Sequence, residues 1–348
     1  MARGGRTQPQ MGTVTAMDRR AGLRVILGFS ILIAASLLPG LLLSILGFTE
    51  IASITTLASI STMIPALLAS PRLTALTVLG LTVGSLLALP ASVNPWLAAL
   101  VLGAAAAGTG LASRVGASGI VVMATISLAF LIATPPDLDV HDVSSWFVVA
   151  AASAGAALWG AGAGLLIRRM RRPVHPPQHE IVPWARVNTF TVVLTLVIAV
   201  AGWVVVDLQW KHGGGWFIMT FLIVLQPYLQ DAWTKTLQRA LGTVVGIVVA
   251  MIIYLLLGDW TVLIYVVGAA AAVLALTVRY ATKRPYWQYA ALLTPAVVLL
   301  EGVSTSVTET AEERLGFTLL AAAFAVLIEI AMAPLYRSNA RRHQLDHY

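Results

Sequence analysis

A chain of 348 residues with 58% hydrophobic and only 11% charged side chains cannot cover a water-facing surface, since a soluble domain carries roughly a quarter charged residues. A net charge of +7 would point to nucleic acid in a soluble protein, but here the basic residues sit in short segments between apolar runs and report membrane topology. Cysteine is absent, which excludes disulfides, thiolate metal sites and cysteine nucleophiles.

Residues 1–22 are polar and basic, and no small-residue cleavage site follows the first apolar run, so they read as a cytoplasmic N-terminal tail. A helix needs about 20 apolar residues to cross a hydrocarbon core roughly 30 Å thick. Suitable runs fall near 25–47, 51–70, 73–90, 96–113, 118–134 and 145–167, then near 187–208, 215–231, 240–258, 261–278, 287–302 and 315–335. The pattern predicts an all-α integral membrane protein with about 12 transmembrane helices. A first six-helix half spans 23–168 and a second spans 187–336, joined by a basic, Pro-rich cytoplasmic linker at 169–186 and followed by a cytoplasmic tail at 337–348. With the N-terminus inside, 20 of the 22 Lys and Arg residues fall in inside segments and only Lys211 and Arg314 outside. That excess is the mark of cytoplasmic loops.

The two halves echo one another. LGLTVGSLLA at 79–88 matches LGTVVGIVVA at 241–250 in five of ten positions at a spacing of 162. The same spacing pairs Pro65 with Pro227, Leu67 with Leu229 and Thr74 with Thr236, and a spacing of 160 pairs Thr134-Pro135 with Thr294-Pro295. An even number of spans per half makes the expected repeat parallel, about an axis along the membrane normal.

Candidate chemistry concentrates in the second half. Gln226-Pro227 ends an apolar run, and Asp231, Lys235 and Arg239 then follow four residues apart on one helical face. They read either as a solvated face or as a positive cytoplasmic mouth that gathers anions. Gly242 and Gly246 form a small-xxx-small pair, repeated as Gly80 and Gly84, of the kind that lets helix backbones approach closely. Pro227 and Pro65 interrupt matching segments, and Pro295 is placed for a break within the membrane. Glu329 is the one acid well inside a span, where an ionisable group faces a cavity or a partner such as Arg337. Arg314 could neutralise an anion in transit, snorkel to headgroups or pair with Glu309 or Glu313. Trp96, Trp146, Trp210, Trp216 and Trp260 sit near outer span ends and Trp184, Trp233 and Trp287 near inner ones, as interfacial anchors do. Trp216, Trp287 and Tyr289 are also candidates for stacking on an aromatic ligand. All six histidines lie in loops or tails, and no GxxxxGK[ST], HExxH or GxSxG run occurs. The chain is therefore expected to be no enzyme and to hold no cofactor or metal. Its expected partners are the lipid bilayer and a small organic anion, not nucleic acid, with a homo-oligomer or a membrane partner protein left open.

The stretch WFIMTFLIVLQPYLQDAWTKTLQRALGTVVG (216–246) resembles the signature of the fusaric acid resistance (FUSC-like) family, through Trp216, Thr220, Gln226, Pro227, Arg239, Gly242, Thr243 and Gly246. YWQYAALLTPAVVLLEG and ERLGFTLLAA are similar to its later motif through Thr294, Pro295 and Arg314. The family includes aromatic acid exporters and is related to aluminium-activated malate channels. The resemblance covers roughly residues 185–335, and the first half enters only through the repeat, where Ala69, Leu73 and Thr77 align with Asp231, Lys235 and Arg239. It implies a permease in a bacterial-type inner membrane, with both termini cytoplasmic. It also implies proton-coupled export of small organic anions, aromatic carboxylic acids in particular. An organic-anion channel and a non-transport scaffold for envelope synthesis are the alternatives.

Overall fold

The computed structural model describes residues 15–345 apart from 171–181, 226, 228, 259, 283 and 303–306. Residues 15–25, 53, 211, 212, 229–232, 261, 280, 281, 301, 302 and 332–345 are described by their backbone alone. Among the described residues every regular element is helical. The first six are α1 (Thr15–Ile45), α2 (Thr49–Leu68), α3 (Pro71–Ala91), α4 (Pro95–Ala112), α5 (Ser118–Ala133) and α6 (Val143–Met170). The second six are α7 (Trp184–Asp207), α8 (Lys211–Val224), α9 (Leu229–Leu257), α10 (Thr261–Ala281), α11 (Tyr286–Gly302) and α12 (Val307–Leu345). Helix α1 begins within the expected N-terminal tail, and α12 runs on through the expected C-terminal one. Most of the expected linker lies outside the described residues.

Nine of these helices, among the described residues, are long and apolar enough to cross a membrane, fewer than the twelve spans expected. The other three are α5, α8 and α11, with 16, 14 and 17 residues. At 1.5 Å per residue they measure about 21–26 Å, short of a hydrocarbon core of about 30 Å. Helix α8 is enclosed almost throughout, with Ile218, Thr220 and Val224 fully buried. It stops because Pro227 has no N–H to continue the ladder, and Leu225 is already extended (φ −67°, ψ 125°).

Short, well-capped connections fold the chain back on itself. Ser70 Oγ accepts from the Leu73 N–H ahead of Pro71, and Asn94 Oδ1 accepts from Trp96 and Leu97 ahead of Pro95. Asp142 accepts from the N–H and hydroxyl of Ser144 where α6 begins, which holds its carboxyl below the usual carboxylate range. In the first half α2 packs on α5 and α6, α3 on α5 and α6, and α4 on α5. In the second α8 packs on α12, α9 on α11 and α12, and α10 on α11. Across the halves α4 lies extensively along α7 and α5 on α8, while α1 touches α10.

Small residues make the close seams. A Cβ on Gly160 would collide with the Ser59 carbonyl and one on Gly164 would lie 2.7 Å from the Met63 carbonyl, so α6 sits almost backbone to backbone on α2. Thr62 Oγ1 donates across that seam to the Ala157 carbonyl at 2.7 Å, and Ser61 Oγ donates to Met123 of α5 at 2.8 Å. Gly110 and Gly202 do the same for α4 on α7, against Thr191 and Leu102. Gly84 meets Leu128 of α5, but a Cβ on Gly80 would meet nothing within 4 Å, so only the second glycine of that expected pair is a packing contact. Large apolar side chains left outward, such as Leu255 and Val262 at 79% and 77% exposure, form the lipid-facing surface.

Gly160→Ala should therefore lower the unfolding temperature in detergent, since overpacking a tight seam costs about 1–3 kcal/mol. Gly80→Ala should leave it unchanged or raise it slightly through helix propensity, by about 0.5–1 kcal/mol. Thermal unfolding of the two variants side by side checks the pair.

Candidate functional site

One face of α12 organises the site. Arg314, Thr318, Ala321, Ala325 and Glu329 recur every three or four residues, and all are buried. At 1.5 Å per residue, about 22 Å separates Arg314 from Glu329 along the helix. The charged ends of this face make two separate clusters.

At the Arg314 end, the guanidinium lies over the Trp216 indole of α8, 3.9 Å from the ring centroid. Phe130 of α5 meets the same indole edge-on at 4.7 Å. The approach is possible because 213–215 are glycines: any Cβ there would press on Phe317, Val205 or Phe130 respectively. Phe317 in turn packs on Trp210 at 5.1 Å. Trp216 is 6% exposed and is a core residue, which corrects its expected place in an interfacial belt. Trp96, Trp184, Trp233 and Trp260 are exposed, in keeping with a belt.

At the other end α9 presents Thr236, Arg239 and Thr243 on one buried face. Thr236 Oγ1 donates to Glu329 Oε1 at 3.1 Å. Arg239 is fully buried, and its Nη1 donates to the hydroxyl of Tyr286, at the start of α11, over a long 3.4 Å. Its Nε and Nη2 have no hydrogen-bond partner among the described residues, and neither has Glu329 Oε2. Arg337, an expected partner of Glu329, lies outside the described side chains. Tyr286 also packs on Tyr289, with ring centroids 5.5 Å apart, and the Arg279 guanidinium of α10 is 6.0 Å from its ring. Lys235 is half-buried, while Arg279 and Arg284 are exposed. Positive charge thus runs from the surface inward to Arg239.

The seam of α9 on α11 holds Arg239 in place. A Cβ on Gly242 would lie 2.6 Å from the Trp287 carbonyl, and one on Gly246 would lie 2.6 Å from Thr294 Cβ and 2.8 Å from the Ala291 carbonyl. That carbonyl is the one Pro295 cannot serve, four residues on. Helix α11 therefore continues unbroken through Pro295, contrary to the expected break, because Gly246 packs flat against the gap. The hydroxyls of Thr243 and Thr294 are buried beside this seam without a hydrogen-bond partner among the described residues.

Of the expected site residues, Arg239 and Glu329 come together around Thr236, and Thr243, Thr294 and Pro295 join them along the seam. Arg314 and Trp216 form the distant cluster. Trp287 is half-buried and Pro227 is buried in the α8–α9 connection. Gln226 and the side chain of Asp231 lie outside the described residues. Sequence reasoning missed Thr236, Tyr286 and Phe130. Thr236 carried a signal, three residues before Arg239 and so on the same helical face, whereas Tyr286 and Phe130 reach their clusters only through tertiary packing. No group of three metal-ligating side chains gathers among the described residues.

The arrangement defines a multi-pass helical membrane protein with buried charges at both ends of one helix face. Residues 196–328 match the model of a family described as fusaric acid resistance protein-like. The matched segment includes Trp216, Arg239 and Arg314 and stops one residue short of Glu329. No curated protein and no solved structure matches the chain.

Trp216→Ala should cost about 3–5 kcal/mol of stability, the usual loss for truncating a core aromatic. Trp96→Ala, at a side chain 76% exposed, should cost a small fraction of that. Chemical denaturation in detergent, followed by far-UV circular dichroism, separates the two.

Proposed function

We propose that this protein is a permease that exports small organic anions, aromatic carboxylic acids in particular, coupled to protons. The observation that carries the reading is the burial of Arg239. An arginine stays charged in any protein environment. A buried charge is tolerated only when hydrogen-bonded partners replace its water. Here one long bond to a neutral phenol is the described compensation, and a carboxylate held in bidentate fashion would complete it. The Tyr286–Tyr289 pair supplies an aromatic wall beside the guanidinium, suited to a substrate ring. Lys235, Arg279 and Arg284 would gather anions toward it. Arg314 on its Trp216 bed would serve as a second cationic station further along α12, and Glu329 as the proton-carrying group.

The same reading takes the twelve helices as two parallel six-helix repeats, with both termini and the Arg239 mouth on the cytoplasmic face of a bacterial-type inner membrane. Equivalent pairings support it: α2 with α6 corresponds to α8 with α12, α3 with α5 to α9 with α11, and α4 with α5 to α10 with α11. The charge asymmetry of the loops supports the orientation.

Proteoliposomes loaded with benzoate and a panel of related acids should show flux that responds to a pH gradient. Arg239→Ala should cut it at least about thirtyfold, the effect of losing ~2 kcal/mol from a buried charge-assisted bond. Silence across the whole panel would count against transport and favour a scaffold. Anion currents that reverse at the anion's equilibrium potential without proton dependence would instead make the protein a channel. Glu329→Gln should retain facilitated flux but lose the response to the pH gradient, as read by counterflow of labelled acid with and without that gradient.

A further inference from the structure

Arg239 and Glu329 present an unusual pair of buried opposite charges. They stand on adjacent helices, both next to Thr236: Glu329 accepts its hydroxyl at 3.1 Å, and Arg239 follows it by three residues on the same face of α9. Three residues along a helix is about 4.5 Å of rise. Yet they do not neutralise each other. The described bond of Arg239 goes to Tyr286, and that of Glu329 goes to Thr236. On the guanidinium Nε and Nη2, and on the carboxylate Oε2, have no hydrogen-bond partner among the described residues. A plain anion would satisfy the guanidinium and leave the Glu329 carboxyl with nothing to bind. A ligand that carries both signs would satisfy both.

We propose that the Arg239–Glu329 pair is a binding site for a zwitterionic amino carboxylate, its carboxylate on Arg239 and its ammonium on Glu329, with an aromatic side chain against Tyr286 and Tyr289. The proposal rests on the reading of Arg239 as a carboxylate station, and it explains how a proton gradient would drive export. Glu329 takes one positive occupant at a time. When the ammonium arrives, a proton held on Glu329 leaves for the bath; when the substrate departs, a proton returns. Mutually exclusive occupancy makes the exchange an antiport, in which an inward proton moves an outward substrate. A plain anion binding beside Glu329 would favour the proton instead of displacing it, because each lowers the electrostatic cost of the other. That would couple the two in the same direction. The other charged and titratable groups on the helices packed against α12 at this end are Lys235 and Arg239 on α9, Tyr286 and Tyr289 on α11 and Arg186 at the start of α7. The side chain of Asp231 on α9 lies outside the described residues. Among these groups Glu329 is the one described acid, so the exchange falls to it.

The test uses a matched pair of probes in proteoliposomes: radiolabelled L-phenylalanine and 3-phenylpropanoate, which share the ring and carboxylate and differ in the ammonium. Phenylalanine flux should exceed that of phenylpropanoate by about tenfold to a hundredfold, the worth of a hydrogen bond between charged groups. An inward proton gradient should drive phenylalanine outward. Glu329→Gln should erase the preference, and thermal unfolding of the variant in detergent, unchanged from that of the unaltered protein, shows that it is folded. Equal or faster phenylpropanoate flux in the unaltered protein would overturn the zwitterion site and leave an anion permease whose export is not driven by exchange at Glu329. A preference that survives Glu329→Gln would overturn the assignment of the ammonium to Glu329. No flux of either probe, together with silence across the acid panel, would overturn both readings.

Discussion

Transferring a guanidinium or a carboxylate from water into a protein interior costs several kcal/mol even after relaxation, and the charge must then be compensated by what surrounds it. Three such groups, Arg314 and Glu329 on α12 and Arg239 on the adjacent α9, are buried between helices. The rest of that half is arranged around tolerating them. Arg314 is covered by the face of an indole, which offers a cation a quadrupole where no water reaches. Glu329 receives a threonine hydroxyl. Among the described residues Arg239 receives a distant phenol, and so is the group whose described surroundings least account for its charge.

Holding these groups in place requires helices to come unusually close without filling the space between them. Glycines do this at each critical approach. The run at 213–215 lets the first turn of α8 nest among Phe317, Val205 and Phe130, which sets Trp216 under Arg314. Gly242 and Gly246 let α9 lie against α11, which sets Arg239 beside Tyr286. Gly246 does a second service by facing the Ala291 carbonyl that Pro295 leaves unserved. A proline placed to break the helix is thereby accommodated within a continuous one.

Much of this was legible in the sequence. Twelve apolar runs became twelve helices among the described residues, most with boundaries within a few residues because hydropathy and capping are local. Helices α1, α9 and α12 nevertheless run about ten residues past their apolar runs, and α8 stops seven short. Glu329 also stood out, since a charge within an apolar run is rare, whereas Arg239 read as part of a polar segment between two runs and only the packing shows it buried. What stayed illegible depends on which helices meet. Trp216 reads as an interfacial anchor from its position near a span end, and only the enclosure of α8 by α5 and α12 shows it to be core. Pro295 reads as a break, and only the glycine opposite shows why it is none. Gly80 and Gly84 look like a pair, yet one faces α5 and the other faces open space.

The contrast between the halves follows from the same physics. The first half seals its seams with groups that carry no net charge: Thr62 to the Ala157 carbonyl, Ser61 to Met123, and Thr109 to Thr125 at 2.8 Å. A hydroxyl bonded to a helix carbonyl is satisfied within the protein and asks nothing of a ligand. The first half's buried hydroxyls without a described partner, those of Ser59, Ser113 and Ser153, are neutral and cost far less than an unpaired charge. In the second half the corresponding interior carries charges that the described residues leave partly uncompensated, which is what the proposed reading assigns to a ligand. Under the proposed reading, the division of labour between the halves needs no special device: buried charge is concentrated in the second half, and that is where a ligand would be held.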